Sequence, residues 1–112
     1  VRTSEISLED FWDNAEPGDY AAILAFLPGR EPLVSGLFQL RGEIARLTKM
    51  AVTVGLGPRY LHSTGQLHKG GPNKGVFILI TAPPAEDAPV PGEFFSFGQL
   101  ELAQAMGDFE AL

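Results

Sequence analysis

The chain has no cysteine, one tryptophan and two histidines among its 112 residues. The absence of cysteine excludes disulfides, thiolate metal sites and cysteine nucleophiles. No apolar run approaches the roughly 20 residues that a membrane-spanning helix needs, and the first residues do not follow the pattern of a secretory signal. We therefore expect a cytoplasmic protein that does not contact a membrane.

Acidic residues are missing from a long central stretch. No aspartate or glutamate occurs from Ile44 to Ala85, although the formal net charge of the whole chain is -6. The basic residues of this stretch are Arg46, Lys49, Arg59, Lys69 and Lys74. The overall negative charge argues against general nucleic-acid binding, because neutralising phosphates requires a basic surface. The central stretch suits a small anion better.

Three apolar runs predict β-strands: DYAAILAFL, AVTVG and VFILITA. Helix competes for the first run because Ala21, Ala22 and Ala25 favour it, but its length and the flanking glycine and prolines favour a strand covered on both faces. We expect the three strands to be neighbours in one parallel sheet.

Helical patterns alternate with the strands. Ser7 starts a short leading helix, and a long helix after Pro32 carries an apolar stripe that we expect to be buried, formed by Leu33, Leu37, Leu40, Ile44 and Leu47. This order predicts an α/β fold with three αβα layers and a parallel sheet of the Rossmann-like or flavodoxin-like type, as a whole or partial domain. The length predicts a single domain spanning 1–112.

Ser96 and Gln99 form a capping box at the start of the last predicted helix. Leu102, Met106 and Phe109 are expected on the buried side of this helix. The preceding proline-rich loop is longer than most loops in a compact domain.

Both histidines lie in GPRYLHSTGQLHKGGPNKG, which we call the basic segment (Gly57–Gly75). Its first part predicts a helix from Pro58 that ends at Gly70. On such a helix four polar side chains fall within about 80° of one another, namely Arg59, His62, Gln66 and Lys69. These four are the candidate site residues, at the carboxyl end of a strand where parallel sheets bind ligands.

Several motif interpretations of the basic segment fail on spacing. Gly55 and Gly57 lack the third glycine and the later acid of a dinucleotide fingerprint, and the glycines after Lys69 lack the order of a phosphate loop. His62 and His68 would lie about 120° apart on a helix, with no carboxylate nearby, so a metal site is not expected. A solvated basic helix face remains an alternative to a catalytic role for His62.

The basic segment resembles a stretch near the C-terminus of the bifunctional transaldolase/glucose-6-phosphate isomerase proteins, and LHSTGQ resembles the LHSxGQ segment of bacterial glucose-6-phosphate isomerases. GDYAAILAFLP before it and FSFGQLELAQAMGDFEAL after it resemble the closing sugar-isomerase (SIS-type) domain of the same proteins. The resemblance therefore covers nearly the whole chain.

This resemblance implies an aldose-ketose isomerase that interconverts glucose 6-phosphate and fructose 6-phosphate without a metal or organic cofactor. It assigns a ring-opening role to His62, presented to the active site of a neighbouring subunit, and matches Gln66 to the glutamine beside that histidine. Arg59 and Lys69 enter from helix geometry alone. The resemblance also implies a homo-oligomeric parent protein.

The family's base glutamate, its enediol-stabilising arginine and its serine and threonine phosphate clamp correspond to sequence before Val1, and its final-helix lysine has no match before Leu112. We therefore expect the chain to be the C-terminal portion of a larger isomerase, with the rest of that protein as its partner, and to be inactive alone. The alternative is a stand-alone, non-catalytic module that binds a sugar phosphate or a protein.

Overall fold

The structure, a computed structural model, describes residues 7–82 and 87–112. Helices and strands alternate along these ranges. In chain order they are α1 (Leu8–Asp13), β1 (Tyr20–Phe26), α2 (Leu33–Thr48), β2 (Ala51–Leu56), a 3₁₀ helix (Arg59–His62), α3 (Gly65–Gly70), β3 (Gly75–Thr81) and α4 (Phe97–Ala111). Across the described ranges, no helix is both long enough and apolar enough to cross a membrane.

The three strands form one parallel sheet in the order β2-β1-β3. Ala22 of the central strand aligns with Thr53 on one side and with Phe77 on the other. Residues 21–26 of β1 are buried throughout, because both neighbours and both faces cover this strand. The prediction of three adjacent parallel strands is confirmed, and the helical alternative for the first run is wrong.

The connections place helices on both faces of the sheet. The chain passes from β1 to β2 through α2, then returns across β1 to β3 through the 3₁₀ helix and α3. Two crossovers of the same hand that run in opposite directions leave their helices on opposite faces. The result is a small parallel-sheet α/β fold with αβα layers, as predicted.

Each face has its own hydrophobic cluster. The first face packs Ile23 and Ala25 against Leu37 and Ile44 of α2. The second face packs three residues of β1 against a residue of the 3₁₀ helix and one of α4; these are Ala22, Leu24, Phe26, Tyr60 and Ala105. The basic segment and α4 therefore share the second face.

The predicted stripe of α2 is only partly buried. Leu37 and Ile44 are buried, whereas Leu47 is 69% exposed. At 100° per residue, Leu47 lies about 60° to 80° around the helix from these two. The helix is rotated so that this edge of its stripe faces solvent, and the expectation of five buried side chains is wrong.

The capping box at Ser96 and Gln99 is present at the start of α4. The predicted buried side of that helix is wrong, because Leu102, Met106 and Phe109 are about half exposed and Ala105 and Asp108 are buried instead. The small Ala105 side chain lets α4 approach the sheet closely. Asp108 faces the same way because it makes polar contacts with the basic segment.

Candidate functional site

The basic segment does not form the single helix that its sequence predicts. The 3₁₀ helix ends at His62, Ser63 adopts φ -134° and ψ -85°, and α3 begins only at Gly65. The Tyr60 carbonyl accepts hydrogen bonds from both the backbone N–H and the hydroxyl of Ser63. A serine that bonds nearby backbone in this way competes with a continuous helix. The four candidate residues therefore do not share one helix face.

The break brings Arg59 and His62 together at the carboxyl ends of β1 and β2. Both line a cavity of about 290 Å³, whose other lining residues are Leu27, Gly29, Leu56, Gly57 and Pro58. Arg59 also borders a second cavity of about 280 Å³, beside Ser63 and Thr64. Of the four candidates, the structure brings these two to one opening.

Two glycines at the end of β2 fix the path of the chain into this cavity. A Cβ at Gly57 would lie 2.6 Å from ring atoms of Phe26, and one at Gly55 would lie 3.0 Å from Cβ of Tyr60. Any side chain at either position would displace these rings. The 3₁₀ helix can therefore lie directly against the sheet, with Tyr60 packed edge-on against Phe26.

His62 is exposed, and no hydrogen bond or ion pair reaches its ring from residues 7–82 and 87–112. Arg59 beside it is also exposed. An imidazole can exchange a proton near neutral pH, whereas a guanidinium keeps its positive charge. The pair can therefore offer a proton carrier and an anion-binding group to a molecule entering from solvent.

Gln66 and Lys69 lie on α3 and are absent from the lining of the cavity that holds His62. Gln66 is exposed. Lys69 instead forms an ion pair with the carboxylate of Asp108 on α4. The ammonium group that the sequence suggested for substrate is therefore paired within the fold.

Asp108 is the residue that sequence reasoning missed. It is 3% exposed, accepts a hydrogen bond from the Tyr60 hydroxyl and pairs with Lys69. Burial raises the pKa of Tyr60, and the hydrogen bond to Asp108 and its charge raise it further. One signal was available, because Asp108 lies at helical spacing from Ala105 and Leu112, which both belong to the second-face cluster.

His68 lies in a different environment from His62. Its Nδ1 is 2.9 Å from the Tyr20 hydroxyl, and its ring centroid lies 5.3 Å from that of Phe77 and 5.7 Å from that of Tyr20. Burial lowers the pKa of His68, and the charge of Asp108 partly opposes this effect. Tyr20 begins β1, so this histidine packs at the amino end of the sheet.

None of the described carboxylates lines the cavity that holds His62. Glu93 borders a separate opening with Phe94 and Ser96. Glu86 lies outside the described residues. A proton-abstracting carboxylate must come within about 3 Å of its proton, and the lining of this cavity supplies none.

A further cavity of about 310 Å³ lies where β1 and β3 end, and its lining includes Asp87 and Glu101 but no arginine, lysine or histidine. Asp87 accepts a hydrogen bond from the backbone N–H of Gly98, and its pKa is lowered by the Ser96 side chain and then by this N–H. The acid therefore occupies the position at the start of α4 where an anion would bind. Of the acid-lined cavity and the cavity that holds Arg59 and His62, the second therefore suits an anionic ligand.

No group of three histidine, cysteine or acidic side chains that could hold a metal ion occurs within 7–82 and 87–112.

Comparison with solved structures finds a hypothetical protein from Thermus thermophilus, with a TM-score of 0.65 and 24% identity over 82% of this chain. This chain covers 26% of the length of that protein. No protein-family model and no curated protein matches. At this identity the likeness shows the parallel α/β fold alone.

Proposed function

We propose that this chain is the C-terminal, SIS-type portion of a glucose-6-phosphate isomerase of the transaldolase-fusion kind, and that it supplies the ring-opening histidine. The observation that carries the proposal is the exposed His62 beside Arg59 in one cavity at the carboxyl ends of β1 and β2. Parallel sheets bind ligands at that edge. The resemblance of LHSTGQ supplies the reaction.

The chemistry of ring opening suits an imidazole. The anomeric hydroxyl, on C1 of glucose 6-phosphate and on C2 of fructose 6-phosphate, loses a proton, the bond from that carbon to the ring oxygen breaks, and the ring oxygen gains a proton. A group that both releases and accepts a proton near neutral pH lowers the barrier to these transfers. Arg59 holds a fixed positive charge beside His62, which favours an anionic sugar phosphate over a neutral sugar.

The cavity does not supply the base for the later transfer between C1 and C2. Its lining contains no carboxylate, so under this proposal the base and most of the phosphate contacts come from the rest of the parent protein or from a neighbouring subunit. Cytoplasmic location and assembly into a homo-oligomer belong to the same proposal. Neither a metal nor an organic cofactor has a role in it.

A coupled assay of fructose 6-phosphate conversion tests the proposal on two samples. We expect turnover by the natural protein that contains this chain, and none above buffer by the 112-residue chain alone. Absence of isomerase activity in the natural protein would show the proposed reaction to be wrong. Turnover by the isolated chain that is lost in Glu93→Gln would show that the chain carries its own base.

The second candidate is a non-catalytic module that binds a sugar phosphate or a protein, and the lack of a carboxylate beside His62 favours it. Titration of the isolated chain with fructose 6-phosphate, followed by NMR at Arg59 and His62, separates the two. If the chain binds fructose 6-phosphate and the natural protein has no isomerase activity, the result supports the non-catalytic module. Arg59→Gln should weaken that binding, whereas Arg46→Gln, which changes an exposed guanidinium paired with Glu43, should not.

A further inference from the structure

The partners of Asp108 come from both sides of the break in the basic segment. Tyr60 belongs to the 3₁₀ helix before Ser63, and Lys69 belongs to α3 after it. Both reach the same carboxylate on α4, which is buried between them. One acidic group thus connects three elements that are distant in sequence.

His62 lies between these two anchored residues. Its own ring makes no hydrogen bond or ion pair with the described part of the chain, so the direction in which it points depends on the backbone from Arg59 to Gly65. The helix is interrupted at Ser63, so no continuous series of helical hydrogen bonds holds this backbone. Anchors before and after the break therefore determine where the imidazole lies.

We infer that Asp108 is a positioning residue for His62, and that it acts by holding Tyr60 and Lys69 so that the intervening turn keeps one conformation. The catalytic part of this inference rests on the proposed isomerase function. The structural part does not, because the order of residues 61–65 can be measured without any assay of activity. The two parts can fail separately.

A purely stabilising role accounts less well for this arrangement. Burial costs the Asp108 carboxylate its hydration, and an ion pair with Lys69, whose side chain is 32% exposed, offsets only part of that loss. Tyr60 also already packs against Phe26 through its ring. What the carboxylate adds is a directional bond at each side of the His62 turn.

The first test measures local order in the 112-residue chain. Asp108→Asn removes the charge, and Tyr60→Phe removes only the hydroxyl, so the second variant serves if the first fails to fold. We expect amide hydrogen exchange at residues 61–65 to rise about tenfold more than exchange in β1, or roughly 1.4 kcal/mol of additional local opening. Glu110→Gln, which removes an exposed carboxylate from the same helix, should change neither region.

An equal rise in exchange in β1 and in residues 61–65 would mean that Asp108 serves global stability alone. No rise in either variant would show that the turn is ordered without it. Both results overturn the inference. Both remain decisive whether or not the parent protein is an isomerase, because no activity is measured.

The second test asks whether Asp108 acts through His62. In the natural protein, Asp108→Asn should lower kcat/KM for cyclic fructose 6-phosphate by about tenfold to a hundredfold, since small displacements of a catalytic group have effects of this size. The same change should have no further effect in a His62→Asn background. An equal loss in both backgrounds would place the action of Asp108 elsewhere, whereas a silent His62→Asn would count against the proposed function and leave the exchange result standing.

Discussion

The two histidines lie six residues apart in sequence, but the fold places them in opposite environments. His62 is exposed at the carboxyl end of the sheet, beside Arg59 and an open cavity. His68 is half-buried at the amino end, bonded to Tyr20 and packed against aromatic rings. The residue type is the same in both cases, so environment alone separates a group available to a ligand from a group engaged in packing.

Charge follows the same division. Arg59 lies near His62 without a salt bridge from residues 7–82 and 87–112, whereas Lys69, near His68, is paired with buried Asp108. A salt bridge to a buried acid makes a cation part of the fold, and an exposed cation stays available to an anion. The contacts of Asp108 and His68 therefore belong to the packing of the fold, whereas Arg59 and His62 are available to a ligand.

The largest expected effect concerns Asp108. Asp108→Ala leaves the buried Tyr60 hydroxyl without its acceptor, which typically costs about 1 to 3 kcal/mol, whereas the side chain of Lys69 is 32% exposed and can be solvated. Chemical denaturation of the 112-residue chain measures this loss. Glu110→Ala, at an exposed position of the same helix, should change the free energy of unfolding by less than about 0.5 kcal/mol. A loss below about 1 kcal/mol for Asp108→Ala would contradict this account of Asp108.

A second prediction uses pH. Burial lowers the pKa of His68 in the folded chain, so the unfolded chain binds more protons below the usual histidine pKa of about 6.5. Stability should therefore be complete above that pH and fall as the pH decreases through it, by at most about 1.4 kcal/mol per pH unit for one proton.

Denaturation curves between pH 7.5 and 5 check this slope. His68→Gln should remove the part of the slope that is due to His68. A slope that His68→Gln leaves unchanged would contradict the assignment of this pH dependence to His68.

The smallest effect is expected for the hydrogen bond between Tyr20 and His68. Tyr20→Phe keeps the ring beside Phe77 and removes the hydroxyl, which should cost about 0.5 to 1.5 kcal/mol. The imidazole shift of His68 in NMR spectra should move, and that of His62 should not. Equal shifts of both rings would mean that the two environments are coupled.

Local sequence patterns predicted most of the elements of this fold. Apolar runs bounded by glycine and proline marked all three strands, and Ser7 and Ser96 marked the starts of two helices. These signals act within a few residues, so they can be read without tertiary contacts. The parallel order then followed from the alternation of strands and helices.

The site was less predictable because tertiary contacts determine it. A uniform 100° per residue placed four side chains on one face, but the hydrogen bonds of Ser63 divide the helix and leave only Arg59 and His62 together. The pairing of Asp108 with Tyr60 spans 48 residues. The sequence predicted a buried side formed by Leu102, Met106 and Phe109 and missed this acid, and no local pattern identifies its partners.

The most direct test of a catalytic His62 compares two forms of the substrate in the natural protein. His62→Asn should lower kcat/KM for ordinary, mostly cyclic substrate by about 10²- to 10⁴-fold, the usual effect of losing an acid-base group, or roughly 3 to 5 kcal/mol. Open-chain substrate supplied by rapid mixing should be isomerised with a much smaller loss, because the proposal assigns His62 to ring opening alone. If kcat/KM of the variant on cyclic substrate stays within about threefold of that of the unsubstituted protein, a difference under about 1 kcal/mol, His62 is an ordinary surface histidine and the central claim is wrong.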